Sequence, residues 1–299
     1  MIKAYSSLFF FWLIIGFAPI FGGLSVNVID GVLLVFLSSI IGFLYFVPYL
    51  IKNKSFGLLF KKNNFLPFLV IANFGSALPF CCLLYALKFT TPANTAILNQ
   101  FELLYSFIFS VIFLKEKITF KQVFASLLIV LGGVVLMAGS VKNINLKGDF
   151  IVILSVWMFQ TSHIAAKKLS ANIPCQVLAA AKNLYALPLM ALLLIIYSGS
   201  IFVKFNSAFY GVLFYMGIIR YGLSYLLWFW AIQKLSLPKV TAIALSYPAL
   251  TLIFSCLFGF DKLTLYNVIG LALSMIGAVL LSKMITKEVK YEQQRILPD

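Results

Sequence analysis

Glu116-Lys117-Ile118-Thr119 and Asp261-Lys262-Leu263-Thr264 are two versions of one short turn, and they lie 145 residues apart. The same offset pairs Trp12 with Trp157, Tyr85-Ala86 with Trp230-Ala231, and Gly132 with Gly277. The chain therefore contains an internal repeat that covers nearly its whole length. Each copy contains five apolar segments of membrane length. Because five is odd, the second copy must enter a bilayer from the side opposite to the first, which is typical of secondary transporters.

The composition indicates a membrane protein. The chain of 299 residues is 63% hydrophobic and 10% charged, with a mean hydropathy of +1.05, whereas soluble proteins carry roughly 25% charged residues. Its formal net charge of +15 comes from basic residues in short loops between apolar runs. That distribution is typical of membrane topology rather than of a nucleic-acid-binding face. The sequence therefore predicts a lipid bilayer as partner, and no nucleic acid.

Ten segments have about the 20 apolar residues that a helix needs to cross the hydrocarbon core. They are 4–22, 31–51, 66–86, 93–113, 121–140, 149–168, 176–197, 207–231, 239–258 and 265–285. We predict an all-α membrane protein with ten transmembrane helices in two inverted five-helix repeats. The first repeat comprises residues 1–140 and the second 141–285, followed by a short polar cytoplasmic tail, 286–299.

The distribution of basic residues predicts the orientation. With the N-terminus inside, 16 of the 23 Lys and Arg residues fall on the cytoplasmic side and five on the other. Cytoplasmic loops are the ones enriched in Lys and Arg. We therefore expect a multi-pass protein of the cell inner (plasma) membrane with both termini in the cytoplasm.

The sequence offers little for catalysis. Its four cysteines and its single histidine, His163, do not have the spacing of a metal site. The segments leave no room for a soluble catalytic domain. We expect no catalytic residue, no metal and no cofactor, and hence no enzyme.

Glu102 lies near the middle of the fourth segment, where an ionisable group costs roughly 2.5–3.5 kcal/mol on insertion scales. Thr95, Asn99, Glu102 and Ser106 are spaced by 4, 3 and 4 residues, so they share one face of a helix. Such a polar stripe predicts the wall of a cavity. Hydrogen bonding between helices is the alternative explanation for its neutral members.

Arg220 lies centrally in the eighth segment, at about the depth of Glu102. A guanidinium stays charged and forms bidentate bonds with carboxylates. Arg220 could therefore neutralise Glu102 in an ion pair or hold an anionic group of a solute, and the sequence leaves both readings open.

A second polar group is predicted in the cytoplasmic third, where the sixth helix runs inward and the seventh returns. Gln160, His163 and Lys167 share a face of the sixth segment, and Lys182 lies in the seventh. His163 and Lys182 could meet there. The alternatives are a packed, hydrogen-bonded His163 and a Lys182 that extends towards the inner surface.

Several aromatic residues lie in the most repeat-like stretches and could line an apolar chamber. Those of greatest interest are Trp12, Tyr85 and Trp228, with Tyr225 and Trp230 beside the last of them. The pattern does not separate cavity lining from packing for any of them.

The chain resembles the EamA-type family of the drug/metabolite transporter superfamily. The resemblance rests on Tyr85-Ala86-Leu87-Lys88-Phe89-Thr90, on Leu114-Lys115-Glu116-Lys117-Ile118-Thr119, and, in the second copy, on residues 225–232, Ser246-Tyr247-Pro248 and Gly277-Ala278-Val279-Leu280. It implies ten helices and a central cavity lined by the first, third, fourth, sixth, eighth and ninth. Members carry amino acids, nucleotide-like metabolites, sugars or amphipathic drugs. Arg220 occupies a position that is usually small, and Lys182 has no counterpart around Ser38-Ser39.

We expect a secondary transporter of a small organic metabolite, with an amino acid or amino-acid-like zwitterion as the favoured solute. Glu102 would hold its ammonium and Arg220 its carboxylate. One alternative is proton-coupled efflux or uptake of another solute, such as a nucleotide-like metabolite or an amphipathic drug. The other is a non-transporting structural membrane subunit. The partners are thus a small-molecule solute and the lipid bilayer, with protons an open question, and either a monomer or a homodimer is compatible.

Overall fold

The computed structural model describes residues 2–25, 27–86, 89–90, 98–138, 146–196, 201–258 and 264–296. In the first copy the α-helices are α1 (Ile2–Ser25), α2 (Gly31–Lys52), α3 (Phe56–Phe60), α4 (Lys62–Ala72), α5 (Leu78–Ala86), α6 (Phe101–Leu114) and α7 (Phe120–Ala138). In the second they are α8 (Leu146–Leu169), α9 (Cys175–Ile196), α10 (Ser207–Phe214), α11 (Ser224–Lys234), α12 (Leu237–Leu245), α13 (Tyr247–Leu257) and α14 (Leu265–Ile296). A first π segment, Asn73–Ala77, joins α4 to α5, and a second π segment, Tyr215–Leu223, joins α10 to α11.

The helical membrane class predicted from composition is confirmed. Six helical stretches are long and apolar enough to cross a bilayer: Ala4–Ser25, Gly31–Lys52, Leu146–Leu169, Cys175–Ile196, Ser207–Lys234 and Leu237–Phe254. Shorter apolar helices cover Phe101–Leu114, Phe120–Val135 and Leu265–Leu280. Within the described ranges the β pairing is limited to one isolated bridge between Ile29 and Val203. The total of ten spans stays a prediction.

The helices of the two copies pack as equivalent pairs. Helix α1 packs on α11 as its equivalent α8 packs on α5, and α1 packs on α13 as α8 packs on α6. Helices α2 and α9 pack against each other, as do α7 and α14, and each of these pairs consists of repeat equivalents. This is the packing expected of two copies related by a two-fold axis.

Connections between helices lie where inverted copies would put them. The α1–α2 connection lies beside residues that follow α9, because the Asp30 N–H donates to the Phe202 carbonyl (3.0 Å) and the Lys204 N–H to the Val28 carbonyl (2.8 Å). The equivalent α8–α9 connection leads into the N-terminal end of α9, where the Gln233 side chain donates to the Ile173 carbonyl (3.3 Å). Equivalent connections therefore lie at opposite ends of α9, as an inverted repeat requires.

Two glycines related by the repeat bring α7 and α14 into backbone contact. A Cβ added to Gly132 would lie 2.4 Å from the Ser274 nitrogen, and one added to Gly277 would lie 2.6 Å from the Ala125 carbonyl oxygen. Close approach through small residues is a common way for helices to associate in lipid, where apolar burial gives little driving force.

Candidate solute site

A cavity of about 330 Å³ lies between the two copies, at the lower end of the size range of ligand pockets. Its wall contains residues of both repeats: Phe11, Ile15, Ala18, Pro19, Gly75, Leu83, Asn99, Glu102, Phe159, His163, Lys182, Arg220, Tyr225, Trp228, Thr241, Ala244, Leu245 and Tyr247. Of the nine residues predicted to bind solute, six line it: Asn99, Glu102, His163, Lys182, Arg220 and Trp228.

The wall is symmetric in position and asymmetric in chemistry. Five pairs of lining residues are related by the 145-residue offset: Ala18 with His163, Gly75 with Arg220, Leu83 with Trp228, Asn99 with Ala244, and Glu102 with Tyr247. In none of these pairs are both members charged. The charges that a solute meets in this cavity therefore do not follow the two-fold relation, and this asymmetry can fix the orientation of the solute.

Glu102 is held by the second copy. Gln160, which is fully buried on α8, donates its Nε2–H to the Glu102 Oε1 at 2.7 Å. The same carboxylate oxygen is 3.7 Å from the His163 Nδ1, and the Gln160 Nε2 is 3.4 Å from that ring nitrogen. Gln160 thus lies behind the cavity wall and orients the carboxylate across the boundary between the copies.

Arg220 reaches the cavity from the second π segment. Its Nη1 donates to the Ser224 Oγ at 3.3 Å, and its Cζ is 5.8 Å from the centre of the Tyr225 ring. Within the described ranges no carboxylate oxygen lies within 4.0 Å of a nitrogen of Arg220. The direct Glu102–Arg220 ion pair, left open by the sequence, is not formed in this conformation.

Lys182 also faces the cavity and not the inner membrane surface. It is 5% exposed, and its Nζ is 4.2 Å from the centre of the Tyr225 ring. Gly75, on the first π segment, makes room for this side chain. A Cβ there would lie 3.1 Å from the Lys182 Cε and 2.4 Å from the Ser162 Oγ. His163 and Lys182, which the sequence suggested could meet, both line this cavity; a direct contact between them stays a prediction.

Aromatic rings and unpaired polar atoms complete the wall. The Trp228 ring lies 4.6 Å from the His163 ring and 5.0 Å from the Phe11 ring, centre to centre. The Trp228 Nε1 and the Asn99 Oδ1 are buried without a hydrogen-bond partner in the part of the chain that the structure describes. Buried polar atoms are normally paired, so these two are unsatisfied in this conformation.

Two predicted lining residues, Trp12 and Tyr85, do not line this cavity. Adjacent helical residues point about 100° apart, and Phe11 is the one that faces the cavity, so Trp12 turns away. Trp12 instead borders a second, apolar cavity with Phe9, Met275 and Val279. Tyr85 is 44% exposed and packs edge-on against Phe89. Leu83, two residues earlier, lines the cavity instead.

The polar stripe of the fourth segment serves two purposes. Asn99 and Glu102 line the cavity, whereas Ser106 is buried and donates to the Thr241 Oγ1 at 3.3 Å, a contact between α6 and α12. Thr95 lies outside the described residues. The 145-residue offset applied to Arg220, His163 and Asn99 would have identified three further lining residues, Gly75, Ala18 and Ala244. Small apolar residues such as these do not stand out from composition alone.

The family model described as "EamA-like transporter family" matches residues 2–138 and 146–283, so the resemblance inferred from the sequence is confirmed. Among solved structures, one titled only "Crystal structure of protein" superposes with a TM-score of 0.83. It is 19% identical in sequence, and the match covers 96% of this chain and 98% of that one. That similarity shows the fold. No curated protein matches the sequence.

Proposed function

Because the chain belongs to the EamA-like transporter family, whose members move small solutes across membranes, we propose that it carries an amino acid or amino-acid-like zwitterion by alternating access. It would do so in the cell inner (plasma) membrane, with both termini in the cytoplasm and ten spans. One chain contains both copies, so a monomer suffices.

The observation that carries this proposal is one cavity that holds an acid and a base not paired with each other. The Glu102 carboxylate can accept hydrogen bonds from a solute ammonium. The Arg220 guanidinium can bind a solute carboxylate with two parallel N–H···O bonds. A zwitterion supplies both the ammonium and the negatively charged carboxylate. Trp228 and Phe11 offer an apolar surface for a side chain.

The position of the cavity supports the proposal of alternating access. The site lies between two copies that pack as two-fold equivalents. Rocking of one copy against the other can therefore expose the same residues to each side of the membrane in turn.

The experiment is a binding screen followed by transport. A ligand that binds the native state raises the melting temperature of purified protein, so amino acids, nucleotides and cationic drugs are screened together. Amino acids that bind should exchange across reconstituted vesicles. Arg220→Ala and Glu102→Ala should each weaken their binding by about tenfold or more, whereas Lys234→Ala, at the exposed end of α11, should not. Normal transport by both cavity variants overturns the assignment.

A second candidate is a carrier coupled to protons, favoured by the Glu102–His163 contact of 3.7 Å inside the cavity. Here Glu102 exchanges a proton with each side of the membrane, and the solute is a nucleotide-like metabolite or an amphipathic drug of the same screen. Transport in vesicles with and without an imposed pH gradient decides this candidate. Rates that do not respond to the gradient exclude it.

A further inference from the structure

Two cations lie close to one aromatic ring in the wall of the cavity. The Lys182 Nζ and the Arg220 Cζ lie 4.2 and 5.8 Å from the centre of the Tyr225 ring. The face of an aromatic ring attracts cations, so Tyr225 stabilises both groups. In the described part of the chain neither cation has a carboxylate within 4.0 Å.

The charges of the wall do not match a simple zwitterion. The described lining residues include one carboxylate, on Glu102, and two basic side chains that can carry a positive charge, Lys182 and Arg220. A solute with one ammonium and one carboxylate would pair with Glu102 and with one cation. The other cation would remain buried and unpaired, which is costly in a medium of low dielectric.

The position of Lys182 is built into the fold. Its stem lies against Gly75, where a side chain would collide with it and with Ser162. Ser162 is itself fixed, because its Oγ donates to the Ile71 carbonyl at 2.8 Å. Gly75 is the repeat equivalent of Arg220. At equivalent positions, the second copy thus has the Arg220 guanidinium, and the first copy has Gly75, which leaves space for the Lys182 side chain.

We propose that Lys182 and Arg220 form a two-cation subsite, and that the carried amino acid bears a second anionic group on its side chain. This inference rests on the proposed function and narrows it. One ammonium and two anionic groups complement Glu102, Arg220 and Lys182. An acidic amino acid, net anionic at neutral pH, is the simplest such solute. Lys182 then determines specificity between an acidic side chain and its neutral amide.

The test compares acids with their amides on purified full-length protein at neutral pH. L-glutamate and L-aspartate are titrated against L-glutamine and L-asparagine, with melting temperature and calorimetry as readouts. Wild type should bind an acid at least about tenfold more tightly than its amide, as expected for a buried charge pair. Lys182→Gln should abolish this preference by weakening acid binding at least about tenfold while changing amide binding by less than about threefold.

Two further variants are controls. Lys168→Gln removes the same charge from an exposed position on α8 and should retain the preference. Lys182→Arg keeps the charge and should retain most of it. If Lys182→Gln does not fold, the acid-to-amide ratio of wild type decides the question alone.

Equal binding of acid and amide by wild type overturns the two-cation subsite, and so does a Lys182→Gln variant that weakens both ligands alike. In either case, Arg220-dependent binding of neutral amino acids would leave the proposed function standing. If none of these four amino acids binds, the two-cation subsite fails, and the proposed function fails as well only if no other amino acid of the binding screen binds.

Discussion

At the scale of single residues, Gln160 connects the two copies by a hydrogen bond to a charged group. Its Nε2–H donates to the Glu102 carboxylate at 2.7 Å from a position with no exposed surface. Hydrogen bonds to charged groups contribute about 1.5–3 kcal/mol. Gln160→Leu should therefore lower the affinity for an ammonium-bearing solute by about tenfold or more, measured by calorimetry.

Gln233→Leu is the matched control for that variant. Gln233 also donates from Nε2, to the Ile173 carbonyl at 3.3 Å, but it does not line the cavity. This variant should lower the melting temperature without changing solute affinity. If Gln160→Leu behaves in the same way, Gln160 is a structural residue and does not position Glu102.

Gly75 carries a second prediction at this scale. An added Cβ would lie 2.4 Å from the Ser162 Oγ and 3.1 Å from the Lys182 Cε, and such overpacking costs about 1–3 kcal/mol. Gly75→Ala should destabilise the protein by that amount, measured by denaturation, and should displace Lys182, with a larger loss of affinity for acidic than for neutral amino acids.

Gly57→Ala on α3 is the control, because a Cβ there meets nothing within 4 Å. It should leave both stability and affinity near those of wild type. Normal acid binding by a folded Gly75→Ala variant would show that the Lys182 stem has other room to move.

The sequence predicted the chemistry of the site better than its geometry. Glu102 and Arg220 stood out because a charge within the membrane is energetically unfavourable on any face of a helix. They could therefore be found without knowing which face of its helix each one occupies. Trp12 and Tyr85 stood out because they recur in the repeat, and recurrence does not report direction. Each lies within two residues of a true lining residue, Phe11 or Leu83.

At the scale of elements, the two π segments make the direction of side chains beyond them hard to predict, as for Tyr85. Each occupies the equivalent part of its repeat, Asn73–Ala77 and Tyr215–Leu223. A π turn departs from the spacing of 3.6 residues on which helical-face arguments depend. Arg220 and Gly75 lie within these segments, so extrapolation of an ideal helix beyond them assigns faces wrongly.

The pairing of α7 with α14 provides a prediction that tests the repeat itself. A Cβ on Gly132 would meet the Ser274 nitrogen at 2.4 Å, and one on Gly277 would meet the Ala125 carbonyl oxygen at 2.6 Å. Backbone atoms cannot move aside as side chains can. Gly132→Ala and Gly277→Ala should therefore each lower the free energy of unfolding by about 1–3 kcal/mol.

Solute affinity should not change in either variant, because neither glycine lines the cavity. Gly211→Ala, where a Cβ meets nothing within 4 Å, should be neutral. Thermal denaturation in one detergent compares all three. Wild-type stability of both α7–α14 variants would contradict the close contact of these helices.

At the scale of the whole molecule, the repeat offset and the loop charges predicted two related copies with a shared cavity. They did not predict which contacts lie beside its ends. Glu116 was noted only as part of a turn, because its partners come from distant parts of the chain. Lys167 was expected on a polar face with His163. Sequence spacing within one helix could not show that it contacts the other copy.

Glu116 joins three helix ends across the boundary between the copies. Its Oε1 is 2.8 Å from the Lys167 Nζ, and its Oε2 accepts from the Leu237 N–H at 3.2 Å. The Lys167 Nζ also donates to the Leu235 carbonyl at 2.5 Å. We call these contacts the inner latch, since they lie at the end predicted to face the cytoplasm.

The inner latch lies close beneath the cavity. Lys167 follows the lining residue His163 by four residues on α8, and Leu237 precedes the lining residue Thr241 by four on α12. Four residues of α-helix span about 6 Å. For the cavity to open at this end, α6, α8 and α12 must separate here, and the latch must break.

Removing the charge of Glu116 should therefore shift the protein towards the state open at this end. Glu116→Gln removes the ion pair, so solute-free protein should spend more time open, by a factor of about ten for each 1.4 kcal/mol lost. The readout is a cysteine placed at Thr241 and labelled in inside-out vesicles with a membrane-impermeant thiol reagent. Labelling should be several-fold faster in Glu116→Gln than in the parent.

Lys168→Met, one residue from Lys167 but exposed, should leave the rate unchanged. Equal rates in the parent and in Glu116→Gln would mean that the latch does not limit access from this side, and a matching increase in Lys168→Met would mean that the effect reflects loss of surface charge.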